Sequence, residues 1–231
     1  MMNALLKPWY RLIRFGFRLL YNEFAWTYDA VSAAVSFGAW RCWGRAALPY
    51  LNASPGDRVL EIAHGTGNIH LDLHAAGYRP TGIDLSPYMG RIARRKLMKA
   101  GKRPDLLRAQ AQALPFPNAA FSAIISTFPA EFIVAPETLR EAYRVLQPGG
   151  RFVIVPNAVL TGKDPGTQGL ELLYRITGQR ESSPGADQRR AAFDVQAFFA
   201  GYGFSVLVHQ VPCPRSLVTV IAAEKPPENP A

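Results

Sequence analysis

The feature that most constrains this chain is a short apolar run that stops at two glycines. Arg58-Val-Leu-Glu-Ile-Ala63 leads into His64-Gly-Thr-Gly67, and Asn68 to Ala76 then has the pattern of a helix closed by Gly77. A buried strand that turns through glycines into a helix opens a parallel sheet, because a parallel neighbour is reached only by a crossover. Glycine lets the chain turn tightly and lets backbone approach a ligand with no Cβ in the way. The next strand, Pro80-Thr-Gly-Ile83, ends at Asp84, 17 residues after Gly67. Open α/β sheets bind ligands beyond such strand ends, where a carboxylate accepts hydrogen bonds from both ribose hydroxyls.

The alternation continues. Ser86-Pro87 starts a helix, with Ser as N-cap and Pro at the first helical position, running to about Ala100 before Gly101. Leu106-Leu107 opens a third strand, and Phe121 to Thr127 is a fourth, apolar enough to be covered on both faces. A helix over Pro136 to Leu146, a turn at Pro148-Gly149-Gly150 and a strand over Arg151 to Val155 follow. After a helix over Asp194 to Tyr202, Phe204 to Val211 and Leu217 to Ala222 arrive with no helix between them, which predicts an antiparallel pair. The fold expected is α/β: a Rossmann-like, seven-stranded, mostly parallel sheet with an antiparallel C-terminal strand pair and a helical N-terminal cap. The cap is residues 1–50 and the main domain 51–231, with 157–190, rich in Gly, Pro, Thr and Gln, read as a substrate-side loop or lid.

Charge narrows the partners. Lys and Arg number 26 against 17 Asp and Glu, a net +9, which favours an anionic partner. Lys7, Arg11, Arg14 and Arg18 share one face of an N-terminal helix, opposite Leu5, Trp9, Leu12, Ile13, Gly16 and Leu20. Such a basic amphipathic helix suits an anionic membrane surface through residues 1–22, or packs on its own domain. The same charges interrupt the apolar start, so no secretory signal is expected. The longest uncharged run, Ala109 to Ala130, contains Pro115, Pro117 and Pro129 and is no membrane span. The expected location is cytoplasmic, either soluble or peripheral to the inner face of the membrane. Cys42 and Cys213 make no disulfide framework and no metal pair, and are read as thiols in a reducing compartment.

A dinucleotide fingerprint needs glycine at position 70, which is His70, and there is no Gly-Lys-Ser/Thr for a P-loop. No basic residue near the second glycine offers itself to a 2′-phosphate. That leaves a ligand with ribose and adenine but no pyrophosphate. Val59-Leu-Glu-Ile-Ala-His-Gly-Thr-Gly-Asn68 resembles the first motif of class I S-adenosylmethionine-dependent methyltransferases, with Ala63 at the first glycine. Thr81-Gly-Ile-Asp-Leu-Ser-Pro87 resembles their ribose-binding strand end, and Gln110-Ala-Gln-Ala-Leu-Pro-Phe116 their adenine-side loop. Leu139 to Arg151 is similar to their helix–turn–strand motif. Tyr28-Asp29 and Val35-Ser-Phe-Gly-Ala-Trp-Arg-Cys-Trp43 look like the N-terminal region of ubiquinone/menaquinone C-methyltransferases. Phe128-Pro-Ala-Glu-Phe132 differs from their usual segment, and phospholipid N-methyltransferases share the same core, so both acceptor classes stay open.

The resemblance implies S-adenosylmethionine as cofactor and methyl transfer by SN2 to a lipid-like acceptor. Glu61 would lie near the cofactor's ammonium, and the backbone of Ala63, His64, Gly65 and Gly67 near its methionyl part. Asp84 would take the ribose, Gln110 and the Ala111 amide the adenine edges, and Leu85, Met89 and Leu114 its faces. Tyr28 and Phe128 are candidates to face the sulfonium, which favours an aromatic ring. Tyr28 and His64 are the catalytic candidates, His64 as a base.

Other patterns carry less. His70 and His74, four apart with Asp72 between them, lack the Glu of His-Glu-x-x-His and a third ligand, so they are read as solvent-facing and no metal is expected. His209 has no evident partner. Arg91, Arg94, Arg95, Lys96, Lys99, Lys102 and Arg103 form an acid-free stretch that suits RNA or a solvated helix end. With no appended binding module and no Asp/Asn-Pro-Pro-Tyr box, nucleic acid is not the expected partner. The alternatives are methylation of a soluble small molecule or RNA, a nicotinamide-binding oxidoreductase, and a non-catalytic protein on the same fold.

Overall fold

The structure is a computed structural model that describes residues 15–16, 18–20, 22–162 and 195–227. Strands β1 (Arg58–Ile62), β2 (Arg79–Asp84), β3 (Leu106–Arg108), β4 (Phe121–Thr127), β5 (Leu146–Leu160), β6 (Ser205–Cys213) and β7 (Ser216–Glu224) form one sheet. Their order is β3-β2-β1-β4-β5-β7-β6. The first five pair in parallel, and β7 runs antiparallel to both β5 and β6. Strand order reverses between β1 and β4, which fixes where a ligand crevice opens.

Both faces of the sheet are covered, as the continuous apolar strands require. Ile124 of β4 joins Leu60, Phe152 and Leu139 on one face, while Ala123 and Ile125 join Val59, Val153 and Leu73 on the other. Helices α3 (Asn68–Ala75), α4 (Pro87–Lys99) and α5 (Pro136–Val145) make the crossovers. The Ser86 hydroxyl accepts the Met89 N–H at 3.2 Å, the cap that Ser-Pro predicts.

Three sequence expectations fail here. Pro148-Gly149-Gly150 is not a free turn: it lies inside β5, where Gly149 and Gly150 exchange backbone bonds with Lys225 at 2.9 Å. A Cβ on Gly150 would stand 2.7 Å from the Ser122 carbonyl, so glycine lets β4 and β5 close up at a shift in register. Next, residues 157–160 are not loop, because Asn157 to Leu160 pair with Thr219 to Ser216. The rest of the expected lid, 163–190, and the predicted helix start at Asp194 lie outside the described residues, although 195–200 are helical. Finally, the two cysteines are joined as a disulfide, Cys42–Cys213. Their separation of 171 residues hid the pairing, which the packing of the cap brings about.

That cap comprises α1 (Tyr28–Val35), α2 (Trp40–Arg45) and a 3-10 turn at Leu48–Tyr50. Trp43, Ala46 and Ala47 are buried with the sheet's own Val59 and Ile125. Trp43 Nε1 donates to Ser216 Oγ at 2.6 Å, and Tyr50 stacks on His209 at 4.2 Å, giving that histidine the partner its sequence context did not reveal.

Arg41 and Arg45 of α2 both reach Asp72 of α3, at 2.7 and 2.6 Å. Burial pushes the Asp72 carboxyl up, but hydrogen bonds and charge from the two guanidinium groups outweigh it and hold the carboxyl below its ordinary range. A depressed native pKa gives stability that is present above the unfolded pKa and lost as pH falls through the native one. Because both arginines are half exposed, solvent screening limits the effect to about 1 kcal/mol. Asp72→Asn should therefore lower the melting temperature at neutral pH by about 2–4 °C. Thermal melts in increasing acid should show that gap closing as the wild-type carboxylate protonates.

Candidate active site

The crevice is built around the turn after β1. Ala63, Gly65 and Gly67 all have positive φ, +59°, +53° and +80°. Ala63 holds a glycine-like conformation despite its Cβ, a strain of about 1–2 kcal/mol that the neighbouring bonds sustain. At Gly67 a Cβ would stand 3.0 Å from Ala93 Cβ, so this glycine lets α4 pack against the turn. At Gly65 a Cβ would meet nothing within 4 Å, leaving an open cradle of bare backbone.

Asp84 braces that cradle. Its Oδ2 accepts the Gly65 N–H at 2.9 Å and its Oδ1 the Ser86 N–H at 2.8 Å. Each oxygen keeps a further lone pair for a ribose hydroxyl. The residues therefore fit an adenosyl cofactor: bare backbone on one side, a fixed carboxylate on the other.

Beneath the turn, the expected solvent-facing histidines are not found. His70 is fully buried, with Nδ1 2.8 Å from Glu61 Oε2, and Glu61 is itself 3% exposed. A Cβ on Gly82 would stand 3.2 Å from His70 Cε1 and 3.1 Å from His64 Cδ2, so a bare glycine in β2 makes room for both rings. His74 is half-buried, edge-on to His70 at 5.4 Å. Burial, with the charges of His70 and Lys102, pushes its pKa down. This part of α3 is covered by α2 and β2.

His64 is also buried, with Nδ1 2.9 Å from the Gly65 carbonyl. Its ring packs beside Gly82 of β2 and borders the cleft at Asp84.

On the adenine side, Met89, Ala111 and Leu114 are buried, while Leu85 and Gln110 are exposed. A clamp that sequence reading missed holds this loop. Glu141 Oε2 accepts the Leu114 N–H at 2.6 Å, and Arg144 donates to Glu141 and to the carbonyls of Leu114 and Phe116. The Arg144 hydrogen bond is the main reason the Glu141 carboxyl lies below its ordinary range. Glu and Arg three apart on a helix were the available signal. A cleft of about 220 Å³ beside Asp84 is lined by Arg91, Arg94 and Arg108, basic groups that the local sequence around Gly67 did not reveal. Arg108 Nε donates to the Leu85 carbonyl at 3.0 Å.

Across the switch point, Phe128 follows β4 with φ +50°, its N–H held by the Val155 carbonyl at 2.8 Å. The ring stacks on Trp40 at 4.4 Å and lies 5.8 Å from Trp43, and Tyr28 meets Trp40 edge-on at 6.1 Å. Tyr28 and Phe128 are thus brought together through Trp40, which sequence singled out only as part of a motif. The result is an aromatic wall at the β4 end of the crevice.

Residues 60–154 match the methyltransferase domain family. A demethylmenaquinone methyltransferase of Thermus thermophilus is 38% identical over 164 residues, 70% of this chain and 72% of that protein. A ubiquinone/menaquinone biosynthesis C-methyltransferase of Syntrophotalea carbinolica is 34% identical over 202 residues, 84% of each chain. Among solved structures, a SAM-dependent methyltransferase from Aquifex aeolicus superposes with a TM-score of 0.55 at 18% identity, covering 79% of this chain and 89% of that one.

Asp84→Ala should weaken S-adenosylhomocysteine binding by about 1.5–3 kcal/mol, the scale of a hydrogen bond to a charged group. Gln110→Ala should cost only about 0.5–1.5 kcal/mol, because a neutral amide makes the weaker bond. Isothermal titration of the two folded variants checks both, and equal losses would show that the adenine loop is assigned in the wrong register.

Proposed function

Because the chain belongs to the S-adenosylmethionine-dependent methyltransferases of the methyltransferase domain family, we propose that it methylates a quinone precursor at carbon, at the surface of an anionic membrane. The observation that carries the acceptor reading is the Trp40–Phe128 stack at the end of β4, bordered by Tyr28. Stacked aromatic faces suit a planar phenolic ring better than a compact phospholipid amine. The named activities of the two relatives at 38% and 34% identity support the same choice.

S-adenosylmethionine, when bound, supplies a methyl group activated by a sulfonium. The remaining work falls to the chain's own side chains. Asp84 and the Gly65 cradle fix the nucleoside end, and Glu61 offers a carboxylate, already oriented by His70, to the ammonium. Trp40 and Phe128, backed by the buried Trp43, exclude water from the β4 end and supply aromatic rings that favour a cation. A direct displacement needs the acceptor carbon, the methyl and its leaving atom in line, so alignment and desolvation are the chain's main contributions. In this assignment Tyr28 borders the reacting groups, and His64 shapes the turn.

The membrane part of the proposal rests on the cap. Trp26 is 74% exposed, and Phe24 and Phe37 also present rings to the outside. Arg18 is exposed, while Lys7, Arg11 and Arg14 lie outside the described residues. No described helix is long and apolar enough to cross a membrane. Exposed aromatics beside basic residues suit the headgroup boundary, each cation adding about 1 kcal/mol near an anionic surface. The proposed location is the cytoplasmic face. The Cys42–Cys213 disulfide runs against this location, since reducing compartments keep thiols open. A thiol count on rapidly alkylated protein decides it: two free thiols support the cytoplasmic face and none overturns it.

Tritiated-methyl transfer into a demethylated quinone, a phospholipid mixture and tRNA tests the acceptor. Label in the quinone alone is expected, and label in phospholipid or tRNA instead would replace that acceptor. For the membrane, deleting residues 1–22 should abolish sedimentation with anionic liposomes at low salt and leave S-adenosylhomocysteine affinity unchanged. Failure of the intact protein to sediment would point to a soluble setting.

A further inference from the structure

We infer that Asp29, in the cap, is a positioning residue that locks the glycine turn and α4 into their cofactor-binding arrangement. The inference rests on the cofactor reading above and adds a residue to it. Asp29 Oδ1 accepts the Thr66 hydroxyl at 2.6 Å and the Asn68 amide at 3.0 Å. These two residues flank Gly67. Asp29 Oδ2 accepts Lys96 Nζ at 2.8 Å, and the same ammonium donates to Asn68 Oδ1 at 2.7 Å.

One carboxylate thus joins three separate elements: α1 of the cap, the turn after β1, and α4. Both cofactor-facing walls converge on it, since the turn carries Gly65 and α4 begins two residues after Leu85. Thr66 is 3% exposed; its hydroxyl donates to Asp29 and accepts from Lys96 and Asn68 at 3.3 Å. Asp29 also directly follows Tyr28, whose ring borders the Trp40–Phe128 stack. A shift of Asp29 therefore moves the aromatic wall together with the turn. Burial pushes the Asp29 carboxyl up, and hydrogen bonds from Lys96 and Thr66 with the Lys96 charge more than reverse it, so the group is an anion at neutral pH.

Lys96 takes on a second meaning. It belongs to the basic stretch of α4, but its ammonium is turned inward on this network and is no part of a free cationic face. The network also explains an acid in a cap helix that otherwise reads Tyr-Asp-Ala-Val-Ser-Ala-Ala-Val.

The test uses the full chain. Asp29→Asn keeps the shape but sets an amide against Lys96. Expected are about a tenfold weaker S-adenosylhomocysteine affinity, a raised acceptor KM and faster hydrogen exchange at the Gly65–Asn68 amides, with the ligand-free melting temperature little changed. Lys96→Met should give the same losses, and the double variant should be no worse than either single one, because all three break one network. Asp29→Glu should recover part of the affinity. Unchanged affinity and KM in folded Asp29→Asn would overturn the inference, as would a lower melting temperature with unchanged affinity, which marks a purely structural role. Should Asp29→Asn not fold, Lys96→Met decides by the same readouts. Wild-type protein that does not bind S-adenosylhomocysteine would instead overturn the cofactor reading.

Discussion

Asp84 makes two short bonds to backbone amides that belong to different elements, and the rest of the site depends on them. One amide is in the turn after β1, the other at the start of α4. A carboxylate at the end of β2 is placed between these two segments by strand order. It joins the two segments into one edge of the crevice. The charge that would recognise a ribose is thus in place before any ligand arrives, and little reorganisation is needed on binding.

Strain is concentrated in the same region. Ala63 and Phe128 both take left-handed backbone conformations, and they sit at the ends of β1 and β4, the two strands that flank the switch point. Neither is a glycine, so each conformation is held by its surroundings: Ala63 by the bonds of His64 and Gly65 to β2 and Asp84, Phe128 by the Val155 carbonyl and the Trp40 stack. A side chain at Phe128 turns a strand end into a wall. Glycine there would relieve strain and remove the surface that faces the crevice.

Much of this was legible in sequence, for identifiable reasons. Phe121 to Thr127 was read to the residue because a strand buried on both faces leaves an unbroken apolar run. The start of α4 was read because Ser-Pro carries its own local chemistry. What escaped reading depends on contacts across the chain. Pro148-Gly149-Gly150 has the composition of a turn, and partners far away in sequence, Lys225 and Asn52, hold it in a strand. His70 reads as solvent-facing because no metal-ligand set is evident around it, and its actual partner Glu61 lies on a different element. The arginines beside Asp84 come from α4 and β3 and converge only once the sheet is formed. Trp40 is similar: its role as the link between Tyr28 and Phe128 exists only after the cap packs on β4.

The Cys42–Cys213 bond has a consequence for connectivity. It closes a covalent ring that contains the whole of β1 to β6, with the first cap helix hanging from one side and β7 from the other. A single backbone cut anywhere in that ring, including within 163–194, opens a circle and releases no fragment. Such a molecule keeps its mass and runs as one species on a denaturing gel until a reductant is added. Unfolding is altered in the same way, because the denatured chain remains a tethered loop with fewer accessible arrangements than a linear one.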